Sequence, residues 1–224
     1  MLERLRLPGL GGWDEDPLWG KFYDWTVEHP RAGGALWKAG IGSDLDRLYA
    51  AAAEIGRQPA GFSVLDVPCG GGVALRGLRP GQGVRYVAAD ISQTMLDRTR
   101  AVARQRQVAV QVETVLADAG DLPFADGEFD LVVSFTGLHC FPDPHGAVRE
   151  MGRVLRAGGV LTGSALLNDT GLRYLPMRQV GRFAGLLGPG ATSADVWDWL
   201  DEAGFTGIAV TLSGAVGYFR ATKR

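Results

Sequence analysis

Five short apolar segments alternate with helix-like segments through the middle of the chain, and this alternation limits the possible folds more than any other feature. Short apolar runs separated by helical patterns are typical of parallel strands that helices cover on both faces. The sequence therefore predicts an α/β fold with a mainly parallel sheet. The strand candidates, most of them dense in Val, Leu and Phe, are SVLDV (63–67), VRYVAAD (84–90), VAVQVETV (108–115), FDLVVSF (129–135) and GGVLTGSAL (158–166).

The segments between these strands have recognisable helix ends. Ser92 is placed to cap a helix over 92–105. Asp143 and Pro144 form a cap and first-turn pair for a second helix, which the glycines at 158–159 are predicted to stop. Each helix has one apolar side for the sheet; in the first it consists of Met95, Leu96, Thr99, Val102 and Ala103.

The two ends of the chain predict further elements around this core. Upstream, residues 43–56 have the pattern of a capped helix, preceded by a segment rich in tryptophan. Downstream, residues 171–188 are predicted to be helical, and a clearer helix begins at Ser193 and ends at Gly204. The tail, TGIAVTLS followed by AVGYFRATKR, is predicted to form an antiparallel hairpin.

These elements predict a single domain over residues 1–224 with a doubly wound, Rossmann-like sheet of seven strands, mixed because its last hairpin is antiparallel. We expect a helical N-terminal cover (1–60), a cofactor-binding core (61–166), a partial lid (167–192) and a C-terminal helix and hairpin (193–224).

Composition and charge exclude several classes of protein. Hydrophobic residues make up 46% of the 224 residues and charged residues 21%, as in a globular chain rather than a disordered one. The net charge of −2, with Lys and Arg dispersed, argues against nucleic acid as a partner. Two cysteines and three histidines form no metal-binding pattern, so we expect no metal. With no secretory signal and no apolar stretch of the roughly 20 residues that a membrane span needs, we expect a cytoplasmic protein.

Acidic residues follow three successive strand candidates. Asp66 stands before the glycines of DVPCGGG, Asp90 ends the second strand, and Asp118 follows the third. Open parallel sheets bind ligands at the carboxyl ends of their strands. The two oxygens of Asp90 can accept the adjacent hydroxyls of a ribose, and Asp118 can accept from an adenine amino group. The sequence therefore predicts an adenosine site.

Asp66 also bears on whether phosphates accompany the adenosine. A carboxylate before the glycine turn would repel a pyrophosphate and suits a cationic ligand. The glycines at positions 70, 71, 72 and 77 do not match the G-x-G-x-x-G spacing of dinucleotide-binding folds. An NAD-dependent oxidoreductase therefore stays only as an alternative.

The chain resembles a known family over roughly residues 62–166. DVPCGGG is similar to the D-x-G-C-G-x-G motif of class I S-adenosylmethionine-dependent methyltransferases, although Pro68 replaces the first glycine of that motif. The resemblance continues through AADIS, LADAGDLPFADGEFDLVVS, GLHCFPDP and MGRVLRAGGVL. Among these enzymes the sequence is most similar to the small-molecule branch that includes ubiquinone and menaquinone methyltransferases.

The resemblance implies a role for each matching position. Asp66 and the backbone of Cys69, Gly70 and Gly72 would hold the methionine part of the cofactor, whose product is S-adenosylhomocysteine, and Asp90 would hold the ribose. The remaining contacts implied are Ile91 and Met95 beside the adenine, Asp118 and Ala119 at its edge, Ser134 on the methionine side and Tyr23 as a cover.

The resemblance further implies methyl transfer to a small-molecule acceptor by in-line displacement. His139, just past the fourth strand, is a candidate base for removing a proton from the acceptor, or else a packing residue. The early tryptophans and residues 173–187 would line an apolar acceptor pocket or form their own core. SFTG after the fourth strand differs from the Asn/Asp-Pro-Pro-aromatic motif of enzymes acting on bases or glutamine. A protein that binds S-adenosylmethionine without catalysis is a further alternative, and the oligomeric state stays open.

Overall fold

The structure is a computed structural model that describes residues 25–224. Alternating helices and strands make up most of this part of the chain, as the sequence predicts. The helices are α1 (Pro30–Ile41), α2 (Leu45–Ala52), α3 (Gln93–Gln105), α4 (Pro144–Val154), α5 (Leu175–Phe183) and α6 (Ser193–Glu202). The strands are β1 (Ser63–Asp66), β2 (Arg85–Asp90), β3 (Val112–Leu116), β4 (Phe129–Phe135), β5 (Leu155–Leu166), β6 (Phe205–Ser213) and β7 (Val216–Lys223).

The described strands form one seven-stranded sheet in the order β3-β2-β1-β4-β5-β7-β6. Strands β1 to β5 are parallel, whereas β7 pairs antiparallel with both β5 and β6. The chain runs outward from β1 to β3, then returns to add β4 on the other side of β1. The predicted mixed sheet with an antiparallel last hairpin is confirmed, and its topological switch point lies between β1 and β4.

Two apolar cores cover the faces of this sheet, because neighbouring residues of a strand point to opposite sides. Val64 faces the core formed with α1, α2 and α3, and Leu65 faces the core formed with α4 and α6. Helix contributions to the first core include Trp37, Leu48 and Leu96, and those to the second include Val148, Met151, Val196 and Leu200.

Several element boundaries differ from the sequence-based predictions. Strand β5 begins at Leu155 rather than at position 158, because Leu155 is buried and pairs with Phe129. Helix α4 accordingly ends at Val154, and the glycines at 158–159 lie inside the strand instead of stopping the helix. Strand β3 starts only at Val112, since residues 109–111 form a 3-10 turn.

The predicted caps are confirmed in part. Asp143 accepts a hydrogen bond from the amide of Gly146 and caps α4. Ser92 occupies the N-cap position of α3 without a capping side-chain bond. Helix α2 is capped by Asp44 and stops at Ala52, so the prediction of one helix over 43–56 was too long.

The C-terminal third follows the predicted order with shorter helices. Helix α5 spans only nine residues of the predicted 171–188 helix, and Gly185, with φ of +73°, follows its end. Thr192 and Asp195 form a capping box at the start of α6. Within residues 25–224 no helix combines the length and apolarity that spanning a membrane requires.

Candidate functional site

The carboxyl ends of β1, β2, β3 and β4 lie along one edge of the sheet, and the predicted site residues follow them. Strands β1 and β2 end at Asp66 and Asp90. Asp118 comes two residues after β3, and Ser134 is the penultimate residue of β4. Parallel pairing therefore gathers residues that are widely separated in sequence at the switch point where such sheets bind ligands.

The glycine turn after β1 needs glycine at two positions. Gly70 and Gly72 have φ of +50° and +89°, a region that L-amino acids rarely adopt. A Cβ on Gly72 would lie 3.2 Å from both Leu75 Cδ1 and Thr99 Oγ1. The chain then enters a 3-10 turn over Val73–Arg76.

Asp90 connects this turn to the start of α3. Its Oδ2 accepts from the amide of Gly70 at 2.9 Å, and its Oδ1 accepts from the amide of Ser92 at 2.9 Å. A carboxylate oxygen can accept more than one hydrogen bond, which contact with the two hydroxyls of a ribose would require in addition. Asp90 therefore shapes the turn as well as offering the acceptors that the sequence predicts.

Asp66 is enclosed rather than open to solvent. It is 1% exposed, and its Oδ2 accepts a hydrogen bond from the hydroxyl of Tyr86 at 2.7 Å. The pKa of Asp66 is raised to about 7, chiefly by burial; the Tyr86 hydrogen bond opposes this rise and the charge of Asp90 adds to it. Sequence reasoning placed a permanent anion here, whereas the structure provides a carboxyl group that titrates near neutral pH.

Cys69 has a structural environment. Its amide donates to the carbonyl of Ala89 at 2.9 Å, which ties the turn to β2. Its side chain is 2% exposed, and burial raises the pKa of the thiol well above its usual value. The backbone of Cys69 can line a ligand site, but the thiol is neither accessible nor ionised enough to act as a nucleophile.

The candidate adenine residues differ strongly in exposure. Ile91 is 61% exposed directly beside Asp90, as an apolar wall for a flat ring would be. Met95 is 5% exposed, with its sulfur 3.8 Å from a guanidinium nitrogen of Arg98. Asp118 is exposed, with Oδ1 accepting from the amide of Gly120, and Ala119 is buried. An adenine at this edge would therefore contact Ile91 and Asp118 before the deeper Met95.

Ser134 supplies a direct test of whether the site suits a polar ligand. It is fully buried near the end of β4, and its Oγ has no hydrogen-bond partner among residues 25–224. A Cβ added to Gly137 would come within 2.9 Å of this oxygen and would overlap the ring of Pro68. An unpaired buried hydroxyl is unfavourable without a ligand, so its position fits the methionine side of the predicted cofactor.

His139 has a geometry that argues against the proposed base. Its Nδ1 accepts a hydrogen bond from the amide of Leu166 at 3.1 Å, which leaves the proton of the neutral ring on Nε2. Burial lowers the pKa of His139 to about 4. The ring is therefore neutral at pH 7, and its accepting nitrogen is already used by the backbone.

Three residues around the site were not singled out from the sequence. Tyr86 reaches Asp66, the hydroxyl of Thr99 donates to the carbonyl of Gly70 at 2.8 Å, and Thr136 adopts φ of +55° just after β4. The sequence carried only a weak signal for two of these residues. Tyr86 is a tyrosine in an otherwise aliphatic strand, and Thr99 is a threonine on the apolar face of a helix. Tyr23 lies outside the described residues.

A cavity of about 280 Å³ lies beside the glycine turn, but it is distinct from the predicted cofactor positions. It includes Gly71 and none of the predicted cofactor residues. Its lining residues are Val27, Glu28, Gly71, Val73, Arg98, Ala101 and Val102. In the described part of the chain, no cluster of three His, Cys, Asp or Glu side chains could hold a metal ion.

Sheet order, glycine turn and strand-end acids agree with the arrangement expected of a class I methyltransferase domain. Residues 65–162, a little under half of the chain, match the family model described as methyltransferase domain, and this match supports the resemblance to S-adenosylmethionine-dependent methyltransferases of class I. S-adenosylmethionine is the cofactor of that class. These matches do not separate the ubiquinone and menaquinone branch from other branches.

Individual relatives agree with this assignment. A chloroplastic methyltransferase of Arabidopsis thaliana is 33% identical over 58% of this chain and 37% of its own length. The 27-O-demethylrifamycin SV methyltransferase of Amycolatopsis mediterranei is 34% identical over 46% of this chain and 38% of its own. The chain thus spans less than half of either relative. The geranyl diphosphate C-methyltransferase of Streptomyces coelicolor has the same fold, with a TM-score of 0.64, 16% identity, and coverage of 81% of this chain and 78% of that one.

Proposed function

We propose that this protein transfers the methyl group of S-adenosylmethionine to a small-molecule acceptor by in-line displacement. The observation that carries the proposal is the arrangement at the β1–β4 switch point. There, Asp90 accepts a hydrogen bond from the amide of Gly70 in the glycine turn. Ser134 Oγ is buried without a hydrogen-bond partner among the described residues, and the exposed side chain of Ile91 borders the same edge of the sheet. The bound cofactor supplies a methyl group already activated on a positively charged sulfur.

The protein's own contribution would be to bind, orient and exclude water. Asp90 would accept the ribose hydroxyls while holding the turn, and Asp66 would lie beneath the methionine part. The Ser134 hydroxyl would find its missing partner in the ligand. His139 would not be available as a base, because its Nδ1 accepts a hydrogen bond from the amide of Leu166. We therefore expect alignment to supply most of the rate enhancement.

A small apolar acceptor is supported by the segment proposed as a lid. Helix α5 has its charged Arg178 buried, bonded to the carbonyls of Leu167 and Gly171, while Val180 and Phe183 are 62% and 80% exposed. Outward apolar side chains on a short helix suit contact with an apolar molecule. Two similar proteins carry small-molecule substrates in their names, rifamycin and geranyl diphosphate derivatives.

Calorimetric titration tests the cofactor part of the proposal. We expect wild-type protein to bind both S-adenosylmethionine and S-adenosylhomocysteine. Replacing Ile91 by Ser removes an exposed aliphatic wall and should weaken binding by roughly three- to tenfold, since about 1 kcal/mol of apolar contact is lost. The matched control is Val110→Ser, which removes a 95% exposed aliphatic side chain from the turn before β3 and should leave affinity unchanged.

A turnover assay tests whether the protein transfers the methyl group to a small-molecule acceptor. Incubation with labelled S-adenosylmethionine and a panel of apolar and aromatic acceptors should give a labelled product and S-adenosylhomocysteine. Absence of binding to either cofactor form would refute the site assignment. Tight binding without turnover on any acceptor would favour a non-catalytic cofactor-binding protein. The oxidoreductase alternative is not favoured by the family match and predicts a change of nicotinamide fluorescence on mixing.

A further inference from the structure

Tyr86 is a fully buried polar residue for which the proposed function has no role so far. It pairs with Val64 across β1 and β2, two positions before Asp66 in the register. From there its hydroxyl extends toward the strand ends and donates to Asp66 Oδ2 at 2.7 Å. Both side chains are at most 1% exposed. Such a pair is shielded from water, so the protonation state of Asp66 depends on the groups around it.

Apart from the Tyr86 hydroxyl, the surroundings of Asp66 oppose a negative charge there. Besides the hydroxyl of Tyr86 on β2, the titratable groups that interact with it are Asp90 at the end of β2 and Cys69 in the glycine turn. Asp90 is an acid, and the thiol of Cys69 is held neutral by burial. Among the described residues, no cation contributes to the ionisation of Asp66. One phenolic donor is thus the main stabilising contact of a buried carboxylate.

We propose that Tyr86 is a positioning residue that sets the charge of Asp66, and that Asp66 loses a proton when the ammonium group of the cofactor's methionine part, which S-adenosylhomocysteine shares, binds beside it. The inference rests on the proposed function. The O–H bond of the Asp66 carboxyl breaks, its proton passes to the buffer, and the carboxylate keeps the Tyr86 hydrogen bond while facing the ammonium group of the ligand. Below pH 7, before the ligand binds, Asp66 is mostly protonated, so in most molecules it is not a buried negative charge without a counter-charge.

The direction of the pH dependence follows from the environment of the carboxyl. Its pKa of about 7 in the free protein falls when a positive group arrives, so binding releases a proton near neutral pH. We expect release of about 0.9 proton at pH 6, about half a proton at pH 7 and less than about 0.1 proton at pH 8.5. Affinity should rise with pH up to about pH 7 and then level off.

The experiment is isothermal titration of the full chain with S-adenosylhomocysteine in phosphate and in Tris buffers. Because these buffers differ in ionisation enthalpy, the difference in heat gives the number of protons released. Asp66→Asn keeps the shape of the side chain but cannot ionise. The proton release of wild type minus that of Asp66→Asn therefore isolates Asp66 and cancels protons lost by the ligand.

Tyr86→Phe tests the positioning role without a large change in volume. Removing the hydroxyl removes the contact that opposes the rise in the pKa of Asp66, so proton release should persist at pH 8.5, where wild type shows almost none. The matched control is Tyr49→Phe, which removes a hydroxyl that donates to the backbone carbonyl of Val27 at 2.6 Å. This control should keep the proton release of wild type.

The outcomes separate this inference from the proposed function. If S-adenosylhomocysteine does not bind wild type at any pH, the proposed function fails. If it binds with equal proton release in wild type and Asp66→Asn, the inference alone is overturned. If Tyr86→Phe does not fold, the comparison of wild type with Asp66→Asn still decides whether Asp66 titrates. Unchanged proton release in a folded Tyr86→Phe protein overturns the role of Tyr86.

Discussion

Replacing Asp90 by Asn should destabilise the protein even without cofactor. Asp90 accepts from the amides of Gly70 and Ser92, both at 2.9 Å, and is only 6% exposed. Each hydrogen bond to a charged acceptor contributes about 1.5–3 kcal/mol. The Asn side chain keeps one acceptor oxygen, while its NH2 group faces the second amide, which then lacks a partner. We expect a net loss of about 2–4 kcal/mol in the free energy of unfolding.

Urea denaturation of the cofactor-free protein, followed by circular dichroism, measures this loss. With a slope of roughly 3 kcal/mol per molar urea, the midpoint should fall by about 1 M. The matched control is Asp97→Asn on the exposed side of α3, where Asp97 pairs with Arg100 at 2.6 Å, and it should cost less than about 0.5 kcal/mol. If Asp90→Asn is no less stable than Asp97→Asn, the two amide bonds do not hold the turn. Loss of cofactor affinity in Asp90 variants would then report ribose contacts alone.

Four further predictions follow from buried titratable groups, backbone conformation and exposure. Because the pKa of Asp66 is about 7 in the folded protein against an ordinary 3.8, its contribution to stability is complete below pH 4 and is lost as pH rises through 7. In urea denaturation, the free energy of unfolding of the wild-type protein should therefore fall by up to about 4 kcal/mol between pH 4 and pH 7, and that of Asp66→Asn should not show this fall. For His139 the sign is opposite, since its pKa of about 4 lies below the ordinary 6.5 and stability is lost as pH falls through this window. His139→Gln should remove this loss of stability at low pH. Because we do not expect His139 to be the base, the substitution should reduce kcat by less than about tenfold. A reduction above about 100-fold would contradict this expectation. Gly72→Ala should cost about 1–2 kcal/mol in thermal or urea unfolding because φ of +89° strains an L-residue; an unchanged midpoint would show that the turn relaxes. Phe183→Ser should leave stability within about 0.5 kcal/mol, because the side chain is 80% exposed, and should raise KM for an apolar acceptor; an unchanged KM would argue against the lid.

The sequence by itself determined the architecture of the core and the residues at its strand ends. The strand 129–135 was predicted with the bounds that the structure shows, and the acids at positions 66 and 90 end β1 and β2. Both results rest on local signals: continuous apolar runs predict buried parallel strands, and parallel strands all direct their carboxyl ends to one edge. The predicted element boundaries were wrong where pairing between distant segments overrode local preference. Leu155 is an example, because it joins strand β5 through burial and pairing with Phe129.

Only the tertiary structure decided the surroundings of the candidate site residues. The bond from Tyr86 to Asp66 joins neighbouring strands, and the bond from Gly70 to Asp90 spans 20 residues. His139 turns from a candidate base into an acceptor for the amide of Leu166, 27 residues away. Charge state and hydrogen-bonding capacity depend on burial and on the partners that face a group across the sheet. Sequence spacing places a carboxyl or an imidazole at a strand end, but the packed interior sets its pKa and its free lone pairs.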